Sequence, residues 1–327
     1  MLPKQLASHR GVSALEDNPL VDLTGNTPSK VATQAVMTAA NSAGKVVEIA
    51  TGRLNLEDTV TLSAPVHGPC DPYKDPRLVV LPGFSDAAKP IFDAVGVDGL
   101  EVTDLFIGNS AALSQTDALS AIGMRLGRVG QTPQETYKCA RTTLRRLRFY
   151  GLTSGLSFQG WDSDLDELRF QFINGTAFVG EYLNACRLKL RFGENVKDFA
   201  ISKSDGAELF ILMEGSIAAA QASTIDECRA LKGTIYLEHA TNARSTPYLT
   251  IGGTTECQGL NLTISCGATM SLTAGYRPIR LDRLDATSVI TVVGSAGDMH
   301  AMVDRTENCK ARVIYRDTRG VWPLDNS

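Results

Sequence analysis

The 327-residue chain reads as an all-β protein: a right-handed, single-stranded parallel β-helix, a solenoid, with a helix capping its N-terminal end. Three observations predict this. Six segments share an apolar-x-x-apolar-x-apolar rhythm followed by Gly, Asn or Lys: GLEVTDLFIGN, TTLRRLRFYG, SDLDELRFQFING, NVKDFAISK, STIDECRALKG and CQGLNLTIS. The rhythm recurs at the spacing of one solenoid coil. Leu144 to Leu165 is about twenty-one residues, Leu165 to Leu188 about twenty-three, Ile225 to Leu249 about twenty-four, and Leu100 to Leu144 about forty-four, or two steps. Finally, helical periodicity occurs once, near the N-terminus, and short β runs bounded by turn residues fill most of the chain beyond it.

The elements come in order. Residues 1–28 are polar, proline-bearing and aperiodic, and read as an arm for contact with a partner. Ser29 is a plausible N-cap and Gly44 a stop for a helix between them, with Val31, Ala35, Val36, Ala39 and Ala40 on one face. That helix sits where a cap over the first coil belongs, because a bare solenoid end is a template for aggregation. From Val46 to about residue 275 the coils stack. Leu100, Leu105, Leu144, Leu147, Phe149, Leu165, Leu168, Phe170, Ile225 and Leu260 face inward, since a coil buries its apolar face only against its neighbours. Residues 276–327 carry longer runs, TSVITVVG and ARVIYRDTRG, and read as a closing or oligomerisation element. Leucine-rich repeats would be more regular, and propeller blades would carry Trp or Gly-His signatures. A β-sandwich with irregular strands is the rival architecture.

Composition narrows the function classes. The formal net charge is -4, whereas a nucleic-acid binder needs surplus Lys and Arg to neutralise phosphates. No run of about twenty apolar residues is present to cross a bilayer. The opening MLPKQLASHRG lacks an apolar stretch, so secretory export is not expected. The seven cysteines are scattered without a C-x-x-C pair and read as buried free thiols. The four histidines, His9, His67, His239 and His300, lie far apart, so no metal site is expected, and no motif calls for a cofactor.

An Ala-rich helix followed by GKVVEIATGRLNLEDTVTLSAPV resembles the opening of the pectate-lyase-type β-helices of phage tailspikes. There a helix of the form ALQAALDAA precedes a strand of the form VYLPAGTYRISSTLTL. Ala35, Val36, Ala39 and Ala40 match the helix, and Val46 to Leu62 match the first coil. The resemblance covers roughly residues 29 to 260. One departure is that LVDLTGNTPSK stands where the family has an Asp-rich segment. The resemblance implies a homotrimer made in the bacterial host cytoplasm and carried on the virion. It also implies an arm that contacts other virion proteins, and a shaft along which host surface polysaccharide can bind.

The densest acid cluster is GWDSDLDELRF, with Trp161, Asp162, Asp164, Asp166 and Glu167. Glycan hydrolysis needs two carboxylates about 5 to 10 Å apart. Inward Leu165 and Leu168 turn Asp164 and Asp166 outward, and Glu181 and Tyr182 lie most of a coil further on, near enough to stack by this patch. Asp164, Glu167 and Glu181 are therefore the candidate catalytic acids. Trp161, Asp162, Tyr182 and Arg146 are the candidate glycan contacts. The bland alternative is that these are solvated turn acids, with Arg145, Arg146 and Arg148 pairing with acids one coil on. Aromatic residues make up only 6%, which favours a structural or binding role over glycan processing. The sequence thus predicts a phage virion protein, a tailspike-like trimer that contacts host polysaccharide. A non-enzymatic trimer decorating the capsid and a polysaccharide depolymerase, lyase or hydrolase, are the alternatives.

Overall fold

A computed structural model describes residues 12–69, 78–132, 136–193, 196–214, 222–237, 246–267, 277–294 and 302–317. They form two long sheets, one of sixteen strands and one of eleven, in which successive coils pair in parallel. One coil shows the plan. Asp164–Gln171 lies in the longer sheet, Ile173–Asn184 crosses to the shorter one, and Arg187–Phe192 returns to the longer sheet one strand further on. Strict alternation decides the faces: Arg187, Lys189 and Arg191 point out, while Leu188, Leu190 and Phe192 point in. The register stacks Leu144 on Leu165, Leu165 on Leu188 and Leu188 on Leu209, the spacing expected from the repeat. All ten residues expected inside are buried. Crossovers between parallel strands of one sheet are right-handed, and the fold is a right-handed parallel β-helix.

The corner from the shorter to the longer sheet is built the same way in successive coils. Two residues three apart adopt positive φ: Tyr182 and Ala185, then Lys203 and Gly206, then Glu227 and Ala230. A left-handed residue costs about 1–2 kcal/mol when it carries a Cβ. Here each such pair turns the chain sharply and sends buried residues into the core: Leu183 and Cys186, Ser204 and Ala207, Cys228 and Leu231. The second left-handed residue donates its backbone N–H to the next coil: Ala185 to Asp205, Gly206 to Arg229 and Ala230 to Gln258.

Aromatic rings form the spine of the core. Phe149 stacks on Phe170 with centroids 5.1 Å apart, Phe170 on Phe192 at 5.0 Å, and Phe192 meets Phe199 at 5.4 Å. Gly155, on the shorter sheet, leaves the room they need: a Cβ there would stand 2.6 Å from Phe170 Cε1. The six described cysteines are free and buried, as expected, and Cys70 lies outside the described residues. Burial pushes the Cys139 and Cys257 thiols up to about 11 and those of Cys186 and Cys266 to about 12.

Several expectations are corrected. The helix spans Lys30–Ser42, but its buried residues are Ala32, Thr33, Met37 and Ala40; Val31 is 73% exposed, and Ala35 and Ala39 are exposed too. Met37 carries far more apolar surface than the alanines, so it sets the phase of the helix. Part of the presumed arm belongs to the solenoid: Val12–Ala14 pairs with Val46–Glu48, and Leu15 is fully buried. Val102 pairs directly with Leu144, so the stretch of about forty-four residues is one coil with long excursions rather than two. Ile225 pairs with Ile251, two residues beyond the expected Leu249. The run expected to form a separate closing element continues both sheets instead: Val289–Gly294 and Arg312–Asp317 extend the longer one, Ile279–Leu281 and Val303–Arg305 the shorter. In Val289–Gly294 the outward positions include Val289 and Val293, so the strand reads as one continuous apolar run, which is why it looked different in sequence.

Candidate functional site

The outer face of the longer sheet carries the densest chemistry among the described residues. Its outward positions fall into columns along the solenoid axis. The first runs Thr143, Asp164, Arg187, Glu208, Lys232. The second runs Arg145, Asp166, Lys189, Phe210, Thr234, with a bulge that sets both Asp166 and Glu167 against Lys189. The third runs Arg148, Arg169, Arg191, Leu212, Tyr236. Opposite charges meet along the first two columns, as sheet neighbours should. Arg187 reaches Asp164 at 3.0 Å, and Lys189 reaches Glu167 at 2.9 Å and Asp166 at 3.6 Å. Arg145 lies 3.7 Å from Asp166, and Lys232 lies 3.9 Å from Glu208. The hydrogen bond from Lys189 is the main reason the Glu167 carboxyl lies below the usual range, and it raises Lys189 in turn.

Two shallow grooves run along this face. One, of about 370 Å³, is lined by Glu167, Leu168, Arg169, Lys189, Leu190, Arg191, Phe210 and Leu212. The other, of about 430 Å³, is lined by Asp164, Asp166, Arg187, Lys189, Glu208, Phe210 and Thr234, among others. Phe210 belongs to both and is 50% exposed, one of four large hydrophobic residues so open among the described residues. ELFILM reads in sequence as a fully buried run, so Phe210 and Leu212 were missed. The signal was there: residue 210 lies one coil beyond outward Lys189, and alternation turns it out.

The sequence candidates fall into two places. Asp164, Glu167 and Arg146 are on the face just described. Arg146 and Glu167 are left-handed residues at the bend of successive coils, and Arg146 grips Asp104 through two hydrogen bonds of 2.6 and 2.7 Å. Trp161, Asp162, Glu181 and Tyr182 instead gather at and before the corner, where Trp161 pairs with Asn184. The Lys138 ammonium covers the Trp161 ring 3.3 Å from its centroid, and Lys203 lies 5.6 Å from the Tyr182 centroid. Asp162 is exposed. Glu181 is buried on the shorter sheet, where its carboxylate accepts from Gly130 N at 2.6 Å and lies 3.6 Å from Lys203 Nζ. It does not stack on the acid patch, because it pairs with Gln159 and Ser202 within the shorter sheet, while Asp164, Asp166 and Glu167 lie on the longer one. Among the described residues no group of His, Cys, Asp and Glu is placed to hold a metal ion.

No family model matches the sequence, and no curated protein matches it. Solved structures do match. ORF18 of Geobacillus virus E2 superposes with a TM-score of 0.65 at 12% identity, over 94% of this chain and 61% of its own. This chain therefore spans less than two thirds of that protein. DFA-IIIase from Arthrobacter chlorophenolicus A6 gives 0.57 at 11% identity, over 96% of this chain and 97% of its own. The Streptococcus pneumoniae surface protein and adhesin PfbA gives 0.54 at 9% identity, over 94% and 96%. What the chain shares with all three is its architecture, that of a right-handed parallel β-helix.

Proposed function

We propose that the protein is a structural component of a phage virion, a tailspike-like homotrimer that contacts a host surface polysaccharide through the outer face of its longer sheet. The observation that carries this reading is the groove of about 370 Å³ with half-exposed Phe210 in its wall. An aromatic face ringed by charged side chains offers a sugar both an apolar platform and hydrogen-bonding partners. The fold shared with a phage protein supports the virion setting. Glu167, held ionised by Lys189, suits acceptance of hydrogen bonds from sugar hydroxyls. A general acid needs the opposite shift, and this favours binding over hydrolysis at Glu167. Asp164, Glu167 and Arg146 would meet the glycan on this face, and Trp161, Asp162 and Tyr182 would extend contact to the corner.

The test is binding of the purified chain to capsule and lipopolysaccharide fractions of bacterial isolates, with Phe210→Ala as the variant. Binding without shortened oligosaccharides, weakened about tenfold or more in the variant, is the expected result. A sedimentation mass three times that of the chain is expected as well. No binding, or an unaffected variant, refutes the glycan reading; a monomer mass refutes the trimer; cleaved glycan moves the protein to the depolymerase class. Electron microscopy of labelled particles separates a tail position from capsid decoration.

A further inference from the structure

We infer that the glycan held on this face is uncharged and runs along the solenoid axis from Phe210 toward the C-terminal coils, over Thr234, Thr263 and Thr291. The inference rests on the glycan-binding reading above and names the ligand class. The outer face of the longer sheet changes character along its length. In the strands from Thr143 to Phe192 the outward positions are mostly charged. On the next four strands, Glu208–Met213, Lys232–Leu237, Asn261–Cys266 and Val289–Gly294, two whole columns are uncharged. The middle column passes from Phe210 through Thr234, Thr263 and Thr291 in direct register. Beside it run Leu212, Tyr236, Ser265 and Val293. All but the exposed Phe210 are half-buried, and the groove of about 430 Å³ already has Thr234 in its wall. Strand pairing does not demand this neutrality, because Lys189 and Arg191 stand in the same two columns one coil before Phe210 and Leu212.

A neutral sugar chain suits these columns. A sugar hydroxyl both donates and accepts, as do the hydroxyls of Thr, Ser and Tyr, whereas a carboxylate only accepts and an ammonium only donates. Such a chain can cover hydroxyls and methyl groups without stripping water from an ion. Neighbouring strands stand about 4.8 Å apart, so Thr234, Thr263 and Thr291 present a hydroxyl at each step along the axis. Tyr236 adds an amphipathic ring beside them. An acidic polymer fares worse. Three of the cations along the grooves are already engaged: Arg187 by Asp164 at 3.0 Å, Lys189 by Glu167 at 2.9 Å, and Arg191 by Glu214 at 2.8 Å. Each would have to give up its partner to meet an acid. The net charge of -4 opposes an acidic polymer at longer range as well.

The experiment is titration calorimetry of the full chain with cell-surface polysaccharide of bacterial isolates, separated on an anion-exchange resin into uncharged and acidic fractions. The variants are Thr263→Val, Tyr236→Ala and, as a control away from the face, the exposed Arg283→Gln. The uncharged fraction is expected to bind, with the same affinity at about 0.05 M and about 0.5 M salt. Each face variant should weaken binding about tenfold, and the control should leave it unchanged. An acidic fraction that binds alone, or as tightly as the uncharged one, overturns the inference and keeps the glycan reading. Binding that falls as salt rises does the same. Undiminished binding by both face variants overturns it too, even where Phe210→Ala loses affinity, because the glycan then leaves Phe210 in another direction. If neither fraction binds, both readings fall. A face variant that lowers the sedimentation mass without lowering affinity makes the face a subunit contact, and the inference falls alone. Thr263→Val nearly keeps the size and shape of the side chain, so the test stands even if Tyr236→Ala does not fold.

Discussion

Asp93 shows how single charges are managed on the outer wall. It sits on the shorter sheet between Arg125 and Arg128, and both hold its carboxylate through paired hydrogen bonds of 3.0 to 3.2 Å. Burial alone would raise its pKa, but the hydrogen bonds from Arg125 and Arg128 outweigh it, so the carboxyl lies below the ordinary range. Replacing Asp93 by Asn would leave two neighbouring arginines without their shared counter-charge, at a cost of about 2–3 kcal/mol. Because the folded value is the depressed one, this stabilisation is complete above the unfolded value, near 3.8, and is lost as pH falls through the folded value. Urea titrations should therefore show a wide gap between wild type and Asp93→Asn at neutral pH that closes in acid. A gap that stays constant, or widens, toward low pH would contradict the assignment.

At the scale of the element, the corners make a sharper prediction. Ala185 and Gly206 occupy equivalent left-handed positions in successive coils, with φ of 53° and 66°. A Cβ added at Gly206 meets nothing within 4 Å, so backbone conformation alone decides its effect. Gly206→Ala should lower stability by about 1 kcal/mol, and Ala185→Gly should leave it unchanged or raise it slightly. Matched melting curves check the pair, and a stabilised Gly206→Ala protein would show the corners to be misdescribed. Much of this architecture was legible in the sequence. Inward Leu144, Leu165 and Leu188 repeat at the coil spacing, and apolar side chains that must share one core leave that mark. Corner residues left a fainter one, because Tyr182, Lys203 and Glu227 adopt left-handed conformations that their identities do not signal. The candidate site was half legible. Asp164, Glu167 and Arg146 could be placed from charge and alternation, while Phe210 was hidden in an apolar run until the register of its neighbours fixed which way it pointed.

For the whole molecule, the coils matter more as neighbours than as members of one globule. Each contacts the coil before and the coil after, so damage should stay local. Phe170 touches Phe149, Phe178 and Phe192, and truncating it to Ala should cost about 3–5 kcal/mol. Hydrogen exchange should then speed up in the strands from residue 143 to 192 well before it does in those from 279 to 305. Uniform loss of protection would mean that the solenoid unfolds as one cooperative unit.

The parallel register also makes the protein a ruler. Among the described residues twelve strands lie in the main path of the longer sheet, and eleven spacings of about 4.8 Å set the length of that path near 50 Å. Excursions such as the one between Val102 and Leu144 add mass to the flank of a coil without adding to that length. Reach therefore changes only in whole steps, by gain or loss of a complete coil, while girth can vary residue by residue. A lineage under pressure to span a fixed gap would keep the number of turns and let the excursions drift.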